Sequence, residues 1–352
     1  MRVASILLTI PLTLAAAACM LPRPLVTQDH SASCVASPAP PGPESQLFVT
    51  LRLPDCRAGV RLTDFRSETP RFASIRNDLI SFHDRPVWMG ELNRRIAGND
   101  GRPPLLFIHG YNNTQEEALD RARTIEQALK QRSPAVVALT WPSYGGETAY
   151  FWDEANAEWA GDGAAAVLAA LTADAPKLLL VAHSMGNRLA LAALQSMSRE
   201  ARRQEIERLV MASPDVDREI VARRLKQGLG VDTTIYVSLK DQPLSGSWRG
   251  HGYPRAGDFS WWVTGRDPYY AFAWLPDVEV IDTTAVDGAR INLGHTAFVS
   301  TRAGRADLCR LARGMGNKRP GLQPLAALKP VQDPRHNYFE LVDTSAKDGC
   351  DE

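Results

Sequence analysis

What this chain lacks narrows the field first. No Walker loop, no dinucleotide fingerprint between a strand and a helix, and no His-Glu-x-x-His pair occurs in its 352 residues, so these phosphate-cradle, Rossmann and zincin patterns are excluded. Cysteine is scarce, five in all, and none stands in Cys-x-x-Cys or Cys/His metal spacing, which removes the usual structural-zinc patterns. Neither sign of charge is in excess: Lys+Arg and Asp+Glu both total 40. There is therefore no general attraction to nucleic acid or to anionic lipid.

The apolar run at the start, Val3 to Ala18 after a basic Arg2, is too short for a mature spanning helix and reads as an export signal. It ends in Ala16-Ala17-Ala18-Cys19, with Leu14 two places ahead, and this end resembles a bacterial lipobox. The expectation is a signal peptide over 1–18 and lipidation of Cys19, with ordinary secretory cleavage near Ala18 as the alternative. Met20 in place of aspartate then directs the anchored chain to the outer membrane, facing the periplasm. Cys34, Cys56, Cys309 and Cys350 remain. An even number in an exported protein predicts two disulfides, whose three possible pairings stay open.

What is present is organised. Residues 19–46 are rich in Pro, Ser and Ala, and read as a spacer. Leu47 to Leu53 alternates as a strand does, and short strand-like runs up to about Ile96 suggest an antiparallel opening to a sheet. Strands and helices then alternate, predicting an α/β fold with a mainly parallel central sheet and helices on both faces. The expected strands are Leu105–Ile108, Ala135–Thr140, Lys177–Ala182, Ile206–Ala212, Thr233–Ser238 and a last one at Val278–Asp282. Thr114 and Glu117 form a capping box opening a helix to about Gln131, and further helices are expected at 154–171, 185–197 and 218–227. Gly314 and Gly316 stop a helix, so the domain spans 47–314 and a tail 315–352.

At the end of the third of these strands stands Ala182-His183-Ser184-Met185-Gly186. A strand turning sharply into a helix strains its serine, and only small residues two places away on either side avoid a clash. Upstream, Leu105–Ile108 runs into His109-Gly110-Tyr111-Asn112, the form of an oxyanion loop. The Tyr111 and Met185 N–H groups are the expected oxyanion donors. A serine nucleophile needs a histidine, and that histidine an acid. Of the seven histidines, His295, in Leu293-Gly294-His295-Thr296 after the expected last strand, is best placed to reach Ser184. The acid is read first as Asp241, after the Thr233–Ser238 strand; Asp215 and Asp217 (also good helix caps) and Asp282 are the alternatives.

These residues resemble a family. His109 to Asn112, Trp141-Pro142-Ser143, Ala182 to Asn187, Ser213 to Asp217, Arg255 to Asp258 and Gly294-His295 are similar to the α/β-hydrolase superfamily in a bacterial branch, the domain of unknown function numbered nine hundred. The resemblance covers about Leu47 to Arg313 and implies the fold and a serine-dependent hydrolysis; it supplies no substrate.

Aromatic residues crowd the stretch after Asp241: Trp248, Tyr253, Phe259, Trp261, Trp262, Tyr269, Tyr270, Phe272 and Trp274. They predict either a water-poor cap favouring acyl or aryl esters or an insertion packed on the sheet. Trp141 is a pocket rim or ordinary core, and Asn187 receives no role. The reading is a serine hydrolase of the bacterial envelope acting on an ester, thioester or related acyl bond of a small molecule or lipid, with no cofactor, metal or nucleic acid. The rival is a non-catalytic envelope binding or assembly lipoprotein on the same scaffold.

Overall fold

The computed structural model describes residues 31–129, 135–173, 177–258, 275–287, 293–324, 337–344 and 349–350; the signal segment, Cys19 and the aromatics from Phe259 to Trp274 lie outside them. The chain enters through β1 (Gln46–Asp55), antiparallel to β2 (Arg61–Arg76), which pairs with β3 (Leu79–His83). The expectation of short strands up to Ile96 fails beyond β3, because Arg85–Gly98 is a helix, α1. Its first turn carries Pro86, whose fixed φ suits a helix start, and Trp88, Met89, Leu92 and Ile96 are all buried at helical spacing. The Trp88 indole N–H donates to Ala73 O at 2.9 Å and fastens α1 to β2.

The parallel core follows the expected alternation. Strand β4 (Leu105–Ile108) leads through α2 (Gln115–Leu129) to β5 (Val136–Thr140), and α3 (Tyr150–Thr172) returns the chain to β6 (Leu178–His183). The capping box forms: Thr114 N–H donates to Glu117 Oε2 at 2.8 Å and Glu117 N–H to Thr114 Oγ1 at 3.2 Å. Helices α4 (Gly186–Ser196) and α5 (Arg199–Glu205) precede β7 (Ile206–Ala212), and α6 (Arg218–Lys226) precedes β8 (Thr233–Val237). Helix α7 (Gln242–His251), strand β9 (Val278–Asp282), and helices α8 (Ala297–Ser300) and α9 (Arg302–Ala312) complete the domain.

Val278–Asp282 is not the last strand. Beyond residue 314, β10 (Leu322–Pro324) and β11 (Tyr338–Leu341) extend the sheet, β11 pairing parallel to β9. The order is β10-β11-β9-β8-β7-β6-β4-β5-β1-β2-β3. A buried ionic cluster holds the tail: Arg319 Nε donates to Asp307 Oδ1 at 2.7 Å and its Nη2 to Glu279 Oε1 at 3.0 Å, while Tyr236 O–H donates to Asp307 Oδ2 at 2.6 Å. The four spare cysteines pair as Cys34–Cys56 and Cys309–Cys350, the latter joining α9 to the chain's last residues.

Helices cover both faces. Buried side chains of α1, α3, α4 and α6 share one apolar cluster against the sheet, and those of α2, α8 and α9 share another. Strand β6 is central, flanked by β4 and β7, and from β4 the chain first steps to β5 and then back across to β6. At that reversal the helices after β4 and β6 leave on opposite faces, so the carboxyl ends of these two strands open a crevice.

Candidate active site

Ser184 follows β6 with φ 52°, a left-handed conformation that costs a non-glycine residue of order 1–3 kcal/mol. Hydrogen bonds hold the strain in place. Ser184 N–H donates to Ala212 O at 2.9 Å, and its carbonyl accepts from Asp215 N–H and Asn187 N–H, each at 3.2 Å. Asn187, given no role from the sequence, is fully buried, and its side-chain N–H groups reach Ala182 O at 3.1 Å and Ser184 O at 3.0 Å. It therefore ties the end of β6 to the elbow. The small residue at 186 is required by the neighbouring loop as well: a Cβ on Gly186 would lie 2.4 Å from His109 O, and one on Gly110 would lie 2.7 Å from Ser184 Cβ.

The loop after β4 is oriented by a histidine. Trp141 N–H donates to His109 Nε2 at 3.1 Å, which leaves Nδ1 carrying the proton and donating to Gly110 O at 2.8 Å. Burial, reinforced by the Arg52 charge, pushes the His109 pKa down to about 3, so the ring stays neutral. Asn113 Nδ2 also donates to Gly110 O, at 3.3 Å. A trans peptide points its C=O and the following N–H in opposite directions. Holding the Gly110 carbonyl thus fixes the heading of the Tyr111 N–H. Met185 takes the N-cap position of α4, where a helix's leading N–H groups lack intrahelical acceptors. Trp141 is no pocket rim: it is fully buried, stacked on His109 at 5.1 Å between ring centroids, with its indole N–H on His109 O at 2.9 Å.

Of the four candidate carboxylates, Asp241 meets the ring of His295, with both oxygens 2.9 Å from Nδ1. It is buried, and it also caps α7 through Leu244 N–H at 3.0 Å. Gly294, at φ 81°, lets the histidine loop run against it, since a Cβ there would lie 2.3 Å from Lys240 O. The alternatives are engaged elsewhere. Asp217 caps α6, Asp282 accepts from Thr284, and Asp215 accepts from Tyr150 O–H at 2.6 Å and Ser247 O–H at 2.7 Å while pairing with Arg255 at 3.2 Å. His183 was unassigned in the sequence beyond its place in the elbow. Its Nε2–H donates to His295 O at 3.0 Å, and burial holds its pKa far below the ordinary histidine value. The residue before Ser184 thus grips the backbone of the residue that Asp241 orients.

Ser184 and His295 line one cavity of about 610 Å³, together with Tyr111, Asn112, Tyr150, Phe151 and Asp215, a size usual for a small-molecule site. Its aromatic wall comes from the loop after β4 and from α3. Trp248 and Tyr253 do not line it, and Tyr253 is exposed; the other seven rings of the expected cap lie outside the described residues. His251 ends α7 on the cavity wall with Nε2 3.2 Å from Glu154 Oε1. Among the described residues no cluster of His, Cys, Asp and Glu could hold a metal.

Residues 88–310 match the family described as "Alpha/beta hydrolase of unknown function (DUF900)". The chain belongs to that family. No curated protein matches this α/β hydrolase. Solved structures similar to it include lipase B of Aspergillus fumigatus, at 16% identity and TM-score 0.36 over 59% of this chain and 52% of that one. The esterase Est22 is similar at 14% identity and TM-score 0.33, over 72% of this chain and 79% of that one. The hydrolase thus spans about half the length of the lipase. At such identities and scores neither enzyme's substrate transfers to it.

Proposed function

We propose that this α/β hydrolase cleaves an ester, thioester or related acyl bond through an acyl-enzyme formed on Ser184. The observation that carries the reading is the Asp241 carboxylate on Nδ1 of His295, in the cavity that Ser184 lines. With Nδ1 committed, Nε2 is the ring nitrogen left to take the serine proton. Ser184 Oγ attacks the carbonyl carbon as His295 removes its proton, and the tetrahedral oxyanion accepts from the Tyr111 and Met185 N–H groups. Collapse breaks the bond to the leaving group, which takes the proton from His295. Water then repeats the sequence on the acyl-enzyme.

A fluorophosphonate probe tests this on the full chain. Labelling of the wild type and none of Ser184→Ala supports the reading; a folded wild type that stays unlabelled favours the binding-scaffold rival. Ser184→Ala or His295→Ala is expected to lose turnover on the order of 10⁴-fold or more.

The envelope assignment rests on the leader pattern and Cys19, and the two disulfides suit an oxidising compartment. Cys19→Ala should move the protein from the membrane fraction to the soluble one; retention in the membrane would refute lipidation at that residue.

A further inference from the structure

Resting on the hydrolase reading, we propose that the cavity receives a substrate carrying a carboxylate, held by the guanidinium of Arg121 while its acyl carbon lies at Ser184. Arg121 projects from α2 and lines the same cavity as Ser184, His183 and His295. Its Nε donates to Asn113 Oδ1 at 2.8 Å, and that bond aims the head group. Among the described residues no carboxylate forms an ion pair with it, and its Nη groups make no hydrogen bond. An arginine has five N–H donors and no acceptor capacity. Four of them are therefore free for a ligand.

The surroundings make this unusual. Burial lowers the Arg121 pKa, and the Glu117 charge in the first turn of α2 offsets only part of that. Glu117 is itself engaged with the Thr114 N–H. Arg121 is half-buried on the cavity wall; charged groups drawn even partly out of water normally have a partner, and the other ionised groups around this cavity do. Asp215 has Arg255 and two hydroxyls, and Glu154, behind His251, has Arg188 at 2.7 Å. Arg121 is the uncompensated charge among the described lining residues.

The geometry also fixes how the anion would be held. Because Asn113 occupies Nε, the side-on fork of the guanidinium is closed, and the end-on pair of Nη groups remains. That pair matches the two oxygens of one carboxylate. Arg121 shares the cavity wall with His183, the residue preceding Ser184, which sets the anion site near the reacting centre. The remaining wall, with Tyr111, Tyr150, Phe151 and Leu244, is largely apolar. The substrate class is accordingly an acyl ester with one negative charge on an otherwise apolar body.

Two esters test this: the mono-p-nitrophenyl ester of glutaric acid, which carries a free carboxylate, and its neutral methyl-capped counterpart. After correction for spontaneous hydrolysis, wild type is expected to favour the anionic ester by roughly tenfold to a hundredfold in kcat/KM, the range for a hydrogen bond to a charged group. Arg121→Gln should erase the preference, Arg121→Lys should retain part of it, and added salt should weaken it. A wild-type ratio at or below one, or one unchanged in Arg121→Gln, overturns the proposal. If neither ester reacts, fluorophosphonate labelling judges the hydrolase reading alone, and glutarate itself judges the site. A rise in wild-type Tm with glutarate that Arg121→Gln lacks supports the site, and no rise refutes it.

Discussion

Replacing His109 separates two jobs that one ring performs. Its Nδ1–H holds the Gly110 carbonyl, and its Nε2 accepts the buried Trp141 N–H. Phenylalanine removes both. The freed Gly110–Tyr111 peptide then keeps only the longer 3.3 Å bond from Asn113, and misaiming the Tyr111 donor should cost up to the value of a lost oxyanion donor, about 3 kcal/mol or roughly a hundredfold in rate. The orphaned Trp141 N–H should cost a further 1–3 kcal/mol or so of stability. Asparagine and glutamine split these effects. The Asn amide nitrogen stands where Nδ1 was and can hold the Gly110 carbonyl; the Gln amide oxygen reaches the place of Nε2 and can accept from Trp141. The assay is the rate of fluorophosphonate labelling, which needs no known substrate, beside thermal unfolding. His109→Asn is expected to recover labelling more than stability, and His109→Gln stability more than labelling. A folded His109→Phe that labels at the wild-type rate would refute the positioning argument, as would rates in all three variants that merely follow Tm.

Two further outcomes concern stability. Among the described residues, Arg319→Ala leaves buried Asp307 with no ion-pair partner and Glu279 with only the more distant Arg208, at 3.5 Å, and should destabilise the fold by about 3–5 kcal/mol, read by urea unfolding; a change under about 1 kcal/mol would mean that the cluster does not hold the tail. The second follows from His109 and His183, whose folded pKa values are depressed, so the unfolded chain binds more protons below the ordinary histidine value of about 6.5. Stability should then fall as pH drops from about 6.5 towards 3, by up to about 1.4 kcal/mol per pH unit for each ring. If His109→Gln, which has no titrating ring, retains the whole slope, His109 is not its source.

Much of the frame was legible because it rests on local signals. The strand Leu105–Ile108, the Thr114–Glu117 capping box and the small residues around Ser184 each follow from spacing that neighbours enforce, and the structure places them where the sequence puts them. Helix α1 was missed because its mixed polar and apolar residues carry little helical contrast until Pro86 is read as a first-turn residue. Strands β10 and β11 were missed for a different cause: three and four residues long, they gain their place from β9 and from Arg319, which are long-range partners. The choice among Asp241, Asp215, Asp217 and Asp282 had the same character. All four end or follow strands, and only the packing of Gly294 against Lys240 brings the His295 ring to one of them. The roles of Asn187 and Arg121 were hidden because a short amide and a surface-patterned arginine have no motif of their own.

The tight seam at Gly186 and Gly110 has an engineering corollary. With no spare volume between the turn at Ser184 and the loop after β4, the two behave as a single casting, and a substitution that widens one displaces the other. Libraries aimed at a new specificity would do better to leave that junction alone and diversify the opposite bank, where Phe151 is open to solvent and Gly250 has free space around it.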